Sequence, residues 1–216
     1  MKNKNIIFPV IFLIFGIILM LLISGLSIRN YVKINNTNKI ISVNSKNITN
    51  QKKVFFKKPL NEPVNTSISI YKSKKIMELY ADKKLIGRFK IGLGRQIEGK
   101  KEREGDNKTP EGSYYVCYIN TNSKYKYFFG ISYPNIKDAE NGLNKNLINK
   151  ITYNKIKDAI DEKISPPWHT PLGGEIGIHG GGTKYDWTYG CIAMSDEDIY
   201  RAKEYIRLGT CVNIYK

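Results

Sequence analysis

Apolar and polar residues alternate from Ser67 to Tyr71, and β-rich runs of the same kind follow at Ile76–Tyr80 and Ile86–Ile91. A period of two turns one face of an extended chain toward a core, so each run predicts a strand. Lys72-Ser73-Lys74 and Ala81-Asp82-Lys83-Lys84 separate them as polar turns. Ser113–Ile119 predicts a further strand after the turn EGDNKTPEG, and YKYFFGISYP (residues 125–134) predicts another that Pro134 ends. From Gly142 to about Glu162 the period changes. Leu143, Leu147, Ile148, Ile151, Ile156, Ala159 and Ile160 approach helical spacing and predict one helix. GGEIGIHG (residues 173–180) reads as a short strand running into a glycine turn. Ser195-Asp196-Glu197-Asp198 carries the S-x-x-D pattern of a helix start, with the helix expected to reach about Leu208 and Gly209 at its C′ position. TCVNIY closes the chain as a strand. The expected domain is mainly β with short helices, an α+β fold beginning near Asn65.

Ile6–Ile28 breaks this pattern: it holds 23 residues without one charge. At about 1.5 Å of rise per residue, such a helix crosses a hydrocarbon core of about 30 Å. A secretory signal would have a shorter apolar region ending in small residues, and no such cleavage site follows Ile28. The expectation is a retained transmembrane anchor at residues 6–28, behind a short tail at 1–5. Lys2 and Lys4 before it are nearly matched by Arg29, Lys33 and Lys39 after it, so charge alone leaves the orientation open. Residues 29–64 are rich in Asn, Lys and Ser, show no sustained period and read as a linker.

Charge changes the picture of partners. Residues 1–61 hold ten Lys or Arg and no acid, so they carry +10 of the formal +16, while 25 basic residues face 19 acidic ones in the remainder. Most of the excess therefore sits beside the apolar span. That argues against nucleic acid as the partner and for the membrane surface, where anionic head groups attract a juxtamembrane basic stretch. A solvated spacer accounts for the same composition.

The candidate chemistry lies in IHGGGTKYDWTYGCIAM (residues 178–194), which holds one of two histidines and one of three cysteines. A cysteine nucleophile needs a thiolate, and a neighbouring imidazole can take the proton and hold it as an ion pair. That pair would keep the thiolate populated well below the free-thiol pKa of about 8.5. Gly190 before Cys191 permits a tight turn whose N–H groups could meet a developing oxyanion. A glycine-rich hairpin with a buried cysteine fits the same residues. Other motifs fail: HGGG has no G-x-S-x-G partner. His169, His179, Cys191 and Cys211 lack zinc-ligand spacing, and the glycines do not make a P-loop.

IGIHG followed by TYGCIAMSDEDIYRAKEYIRLGTCVNIY closely resembles the catalytic domain of the L,D-transpeptidases, the YkuD-type domain of bacterial cell-wall enzymes. IGLG, DNKTPEGSYYV and GISYPNIKDAENG extend the resemblance upstream, so that residues 65–216 are expected to form that domain. The resemblance implies a compact β-sandwich in which Cys191 is the nucleophile and His179 the base and later the acid. The carbonyl of Gly180 would orient the imidazole, and N–H groups around Tyr189, Gly190 and Cys191 would form the oxyanion hole. It implies peptidoglycan stem peptides as substrate, a Cys thioester after loss of terminal D-Ala, and 3→3 cross-links when a second stem resolves it. Carbapenem-type inhibition and independence from any metal or cofactor also follow. An extracytoplasmic substrate would put the domain on the wall side of a single-pass cytoplasmic-membrane anchor.

The sequence departs from many members of that family at Tyr189, where they carry His, at Ala193, where they carry Arg or Asn, and in the short His179–Thr188 spacing. All three fit a branch with Gly-Cys-Ile-Ala-Met, some of whose members hydrolyse wall linkages. A hydrolase or carboxypeptidase with the same site is the alternative; a sortase-like enzyme and a non-catalytic wall-binding module stand further off. Cys117 and Cys211 read as buried strand residues, with a disulfide between them left open. His169 reads as a loop histidine.

Overall fold

The computed structural model describes Gly25, Arg29, Lys33 and residues 53–216. The expected anchor at Ile6–Ile28 lies outside the described residues apart from Gly25; among the described residues no helix is long and apolar enough to cross a membrane. A compact unit spans Val54–Lys216.

Nine strands carry it: β1 Phe55–Phe56, β2 Thr66–Tyr71, β3 Ile76–Ala81, β4 Lys84–Lys90, β5 Gly112–Ser123, β6 Lys126–Ile131, β7 Gly177–His179, β8 Ile192–Ala193 and β9 Cys211–Tyr215. Three short helices, α1 Ile136–Asn144, α2 Lys150–Asp161 and α3 Asp196–Ala202, complete it. The alternation in the first runs has the expected consequence: Ile68 and Ile70 are fully buried while Ser67 and Ser69 are half-exposed. Phe55 and Phe56 pair with Arg88 and Gly87, so the sheet reaches back into residues expected to be linker.

The strand order is β1-β4-β3-β2-β9-β5-β6-β7-β8. The last strand in sequence therefore lies mid-sheet, parallel to β2 and antiparallel to β5. Instead of two stacked sheets, the expected sandwich is one curled sheet. Its turning point is β5, whose first residues, Gly112–Tyr115, pair with β9 while Val116–Ser123 pair with β6. Register shifts at Val116/Tyr118 and Asn120/Ser123 bend that strand, as bulges do. Bridges Gly92↔Ala193 and Gly94↔Thr188 join the chain after β4 to the segment around β8, closing the curl. One apolar core fills it, with Met77, Leu79, Phe89, Ile131, Ile178 and Ile192 at or near zero exposure.

The single helix expected over 142–162 is two helices. α1 starts earlier, at a capping box in which Asn135 accepts from the Asp138 N–H and the Asp138 carboxylate accepts from the Asn135 N–H. It stops where Asn146 takes a left-handed conformation (φ 57°) and Asn149 caps α2 by accepting from Thr152 N–H. Both are asparagines, whose short amide competes with helix hydrogen bonds; the apolar period running through them hid the break. Ser195 caps α3 by accepting from Asp198 N–H, and a 3₁₀ turn, Lys203–Tyr205, follows, so the helical stretch stops short of Leu208. Gly209 keeps its positive φ of 82° in the turn before β9.

Two buried lysines fasten the long β4–β5 loop. Lys72 Nζ donates to Gly99 O (2.7 Å), Thr109 O (3.0 Å) and Glu111 Oε1 (2.8 Å). Lys101 Nζ pairs with Asp106 Oδ1 at 3.1 Å. Burial works to raise the Asp106 pKa, but N–H donation from Glu102, Arg103 and Lys108 together with Lys101 holds that carboxyl below its usual range.

Candidate active site

β7 and β8 run parallel with Ile178 beside Ile192 and His179 beside Ala193. Ile178 and Ile192 face the core, so alternation turns His179 and Ala193 to the opposite face. Cys191, one position before β8, falls beside Gly177 on that same face, and its sulfur meets the Gly177 N–H. His179 and Cys191 are thus diagonal neighbours across two strands, with no side chain at Gly177 between them.

His179 is buried. Its Nδ1 lies 2.6 Å from Gly180 O. A carbonyl only accepts, so Nδ1 carries the hydrogen and Nε2 keeps the lone pair. Tyr125 stacks on the imidazole (centroids 4.8 Å apart) and Trp187 meets it edge-on at 5.5 Å. Burial lowers the His179 pKa below its ordinary value, against the raising effect of the Gly180 bond. The ring is therefore a neutral base at neutral pH. Gly180 itself has no room for a side chain: a Cβ would stand 2.7 Å from both Asp196 Oδ1 and Tyr125 O. Asp196 Oδ1 accepts from Gly181 N–H at 2.8 Å and holds the turn behind the histidine.

Cys191 is half-buried, and its thiol donates to Glu175 O at 3.5 Å. Burial pushes the thiol up to about 11, with the Gly177 N–H and the Lys101 charge pulling the other way. That direction runs against the expected ion pair. Desolvation favours the neutral form of both groups, a thiol beside a neutral imidazole.

The turn before Cys191 is tightly specified. Thr188 is buried; its hydroxyl accepts from Gly190 N–H (3.2 Å) and donates to Cys191 O (2.8 Å). Of the three expected oxyanion-hole N–H groups, that of Gly190 is thus directed at Thr188, which leaves Tyr189 and Cys191 as the candidates. The Tyr189 ring is exposed and lies under the Arg95 guanidinium at 4.7 Å.

The other expected residues are accounted for. His169 is exposed in a loop. All three cysteines are free: Cys117 Sγ donates to Gly130 O, and Cys211 pairs across the sheet with Tyr115. Among the described residues no three His, Cys, Asp or Glu side chains gather in a group that could hold a metal ion. Tyr125, Trp187 and Thr188 complete the site without having been singled out from the sequence. Thr188 sits inside the T-x-G-C pattern and was legible there; Tyr125 is far away in sequence and arrives through β6–β7 pairing.

A family model described as the L,D-transpeptidase catalytic domain matches residues 65–214. The chain belongs to the L,D-transpeptidase catalytic domain family. Among solved structures it is similar to the helical cell shape determining protein Pgp2 from Campylobacter jejuni, at 22% identity and a TM-score of 0.49, covering 70% of this chain and 48% of that one. It is also similar to Bd1075 of Bdellovibrio bacteriovorus (18%, TM-score 0.47, 76% and 52% covered). An L,D-transpeptidase from Xylanimonas cellulosilytica DSM 15894 is more distant (15%, TM-score 0.38, 73% and 63% covered). The chain spans about half the length of Pgp2. No curated protein matches the chain in sequence.

Proposed function

We propose that the domain is a peptidoglycan L,D-transpeptidase using Cys191 as nucleophile and His179 as its base. The observation that carries the reading is the 2.6 Å contact of His179 Nδ1 with Gly180 O, which leaves Nε2 as a lone-pair acceptor on the face that carries Cys191. Nε2 takes the thiol proton as Sγ bonds to the carbonyl carbon that links the third stem residue to terminal D-Ala. The Tyr189 and Cys191 N–H groups receive the oxyanion. The C–N bond then breaks, the imidazolium returns its proton to the departing D-Ala amine, and a thioester remains. An amine of a neighbouring stem attacks that thioester, gives its proton to His179 and releases Sγ, forming a 3→3 cross-link. Water in place of the amine yields a carboxypeptidase, the second reading, which the half-open site and the exposed Tyr189 ring also admit. Ile6–Ile28 is the proposed membrane anchor, residues 29–64 the spacer and residues 65–216 the catalytic domain on the wall side. A carbapenem would acylate the same sulfur.

Mass spectrometry of stem tetrapeptides incubated with the full chain separates these outcomes. Dimers linked 3→3 support the transferase; tripeptide plus free D-Ala supports the carboxypeptidase. Intact substrate under all conditions overturns both.

A further inference from the structure

A cleft of about 720 Å³ lies apart from His179 and Cys191, between the β4–β5 loop and the α1–α2 connection, where Lys145 and Leu147 complete its lining. Arg95, Lys100, Arg103 and Lys108 line it. Its two acids are already committed: Glu102 pairs with Lys145 at 2.7 Å, and Asp106 with the buried Lys101 at 3.1 Å. Among the described residues, none of the four remaining cations has a carboxylate within ion-pair distance. Residues 62–216 hold 25 bases against 19 acids, so an excess of this size in one concavity is a local concentration rather than the average surface. Like charges lining a cleft raise the local concentration of anions.

The cleft is joined to the nucleophile through backbone. Arg95 N–H donates to Thr188 O (3.0 Å) and its Nε to Trp187 O (3.1 Å), which fixes the guanidinium along the segment leading to Cys191. Lys108 O lies against Gly190, 2.7 Å from where a Cβ would be. An anion held by Arg95 and Lys108 would therefore sit beside the segment that carries Cys191.

We propose that this cleft is a carboxylate subsite, holding a carboxylate-bearing segment of the peptide whose carbonyl Cys191 attacks. This rests on the stem-peptide reading above: such peptides carry free carboxylates, and Arg offers the forked donor geometry that carboxylates accept. The subsite then contributes binding and register, and the chemistry stays at Cys191.

The test is binding to full-length protein carrying Cys191→Ala, with a stem tetrapeptide bearing free carboxylates and the same peptide with them amidated. Calorimetry is expected to give at least tenfold tighter binding of the free-carboxylate form at low salt, with the advantage shrinking as salt rises. Arg95→Gln/Lys108→Gln is expected to remove the advantage and leave the amidated peptide unaffected; Lys100→Gln/Arg103→Gln, at the two cations without a contact to the Thr188–Gly190 segment, is expected to reduce it partly. Equal affinities, binding of neither peptide, or an advantage that survives both double variants overturns the subsite. So does competition by poly(glycerol phosphate) that persists after the free-carboxylate preference has been lost, since the cations would then serve a wall phosphate polymer. Turnover by the unmutated protein without carboxylate preference sinks the subsite alone. Carboxylate-selective binding without any turnover sinks the catalytic reading alone.

Discussion

Gly190 and Lys108 meet backbone to backbone: a Cβ on Gly190 would stand 2.7 Å from the Lys108 carbonyl oxygen, and the residue sits at φ 132°. Two independent penalties thus fall on Gly190→Ala, one conformational and one steric. Gly209 provides the control, because its φ of 82° is also positive but nothing lies within 4 Å of its Cβ position. Gly209→Ala is expected to cost about 1 kcal/mol through backbone strain alone. Gly190→Ala is expected to cost about 2–4 kcal/mol and to lower turnover at least a hundredfold, since the turn that aims Cys191 must shift. Urea unfolding of both variants gives the comparison; equal losses would mean that the Lys108 contact yields freely.

The acid–base state of the site gives a second expectation. As the proposed base, His179 can take a proton only while neutral, and burial lowers its pKa below 6.5, so the acid limb of kcat/KM is expected below pH 6.5. The same depression has a stability consequence. The unfolded chain binds the proton first, so the contribution of His179 is complete above pH 6.5 and fades as pH falls through its folded pKa. Cys191, pushed up to about 11, has the opposite sign, and its contribution fades as pH rises from about 8.5 toward 11. Iodoacetamide alkylation of Cys191 should climb through pH 9–10 without a plateau near neutrality. A plateau at pH 6–7 would mean that the ion pair exists at rest after all.

The three cysteines separate cleanly. Cys191→Ala is expected to abolish turnover and carbapenem acylation, because Cys191 is the thiol that the β7–β8 register sets diagonally beside His179. Cys117→Ala and Cys211→Ala should keep both within about twofold of the parent, since one thiol points at Gly130 O and the other lies exposed on β9. Intact-mass measurement after carbapenem treatment reads all three. Acylation of Cys191→Ala would move the nucleophile elsewhere.

What the sequence disclosed was whatever local pattern decides. Ile68 and Ile70 alternate with serines and had to form a strand with one buried face; Ser195 with Asp198 had to cap a helix. His179, Cys191 and the glycines around them were legible as a family pattern, and their backbone geometry follows from it. Three kinds of feature were not legible. Asn146 and Asn149 broke an apolar period without a glycine or proline to mark the break. Ile192–Ala193 is too short for any period to show, and exists because β7 offers it a partner. Tyr125 reaches His179, and Arg95 reaches Tyr189, through pairings between segments more than fifty residues apart. The charge state of the pair was out of reach for a related reason: proximity of Cys and His can be guessed from spacing, but the desolvation that pushes the thiol up and the imidazole down depends on how much of the fold closes over them.

Thr188 gives the last expectation. Its hydroxyl receives the Gly190 N–H and donates to Cys191 O, so one side chain closes the turn on both sides of the Gly190–Cys191 peptide. Thr188→Val keeps the shape and removes both bonds. The Gly190 N–H and the Cys191 carbonyl are then left without that partner, at a cost of about 1–3 kcal/mol. Turnover should suffer more than folding, by tenfold or greater, because a Gly190 N–H released from Thr188 lets the Tyr189–Cys191 segment rotate its amides away from the oxyanion. Thr188→Ser retains the hydroxyl and should recover most of the activity while giving up only a methyl contact. The decisive comparison is kcat with a stem peptide for the two variants, set beside their unfolding midpoints. A valine variant that turns over like the serine variant would leave Thr188 a packing residue and nothing more.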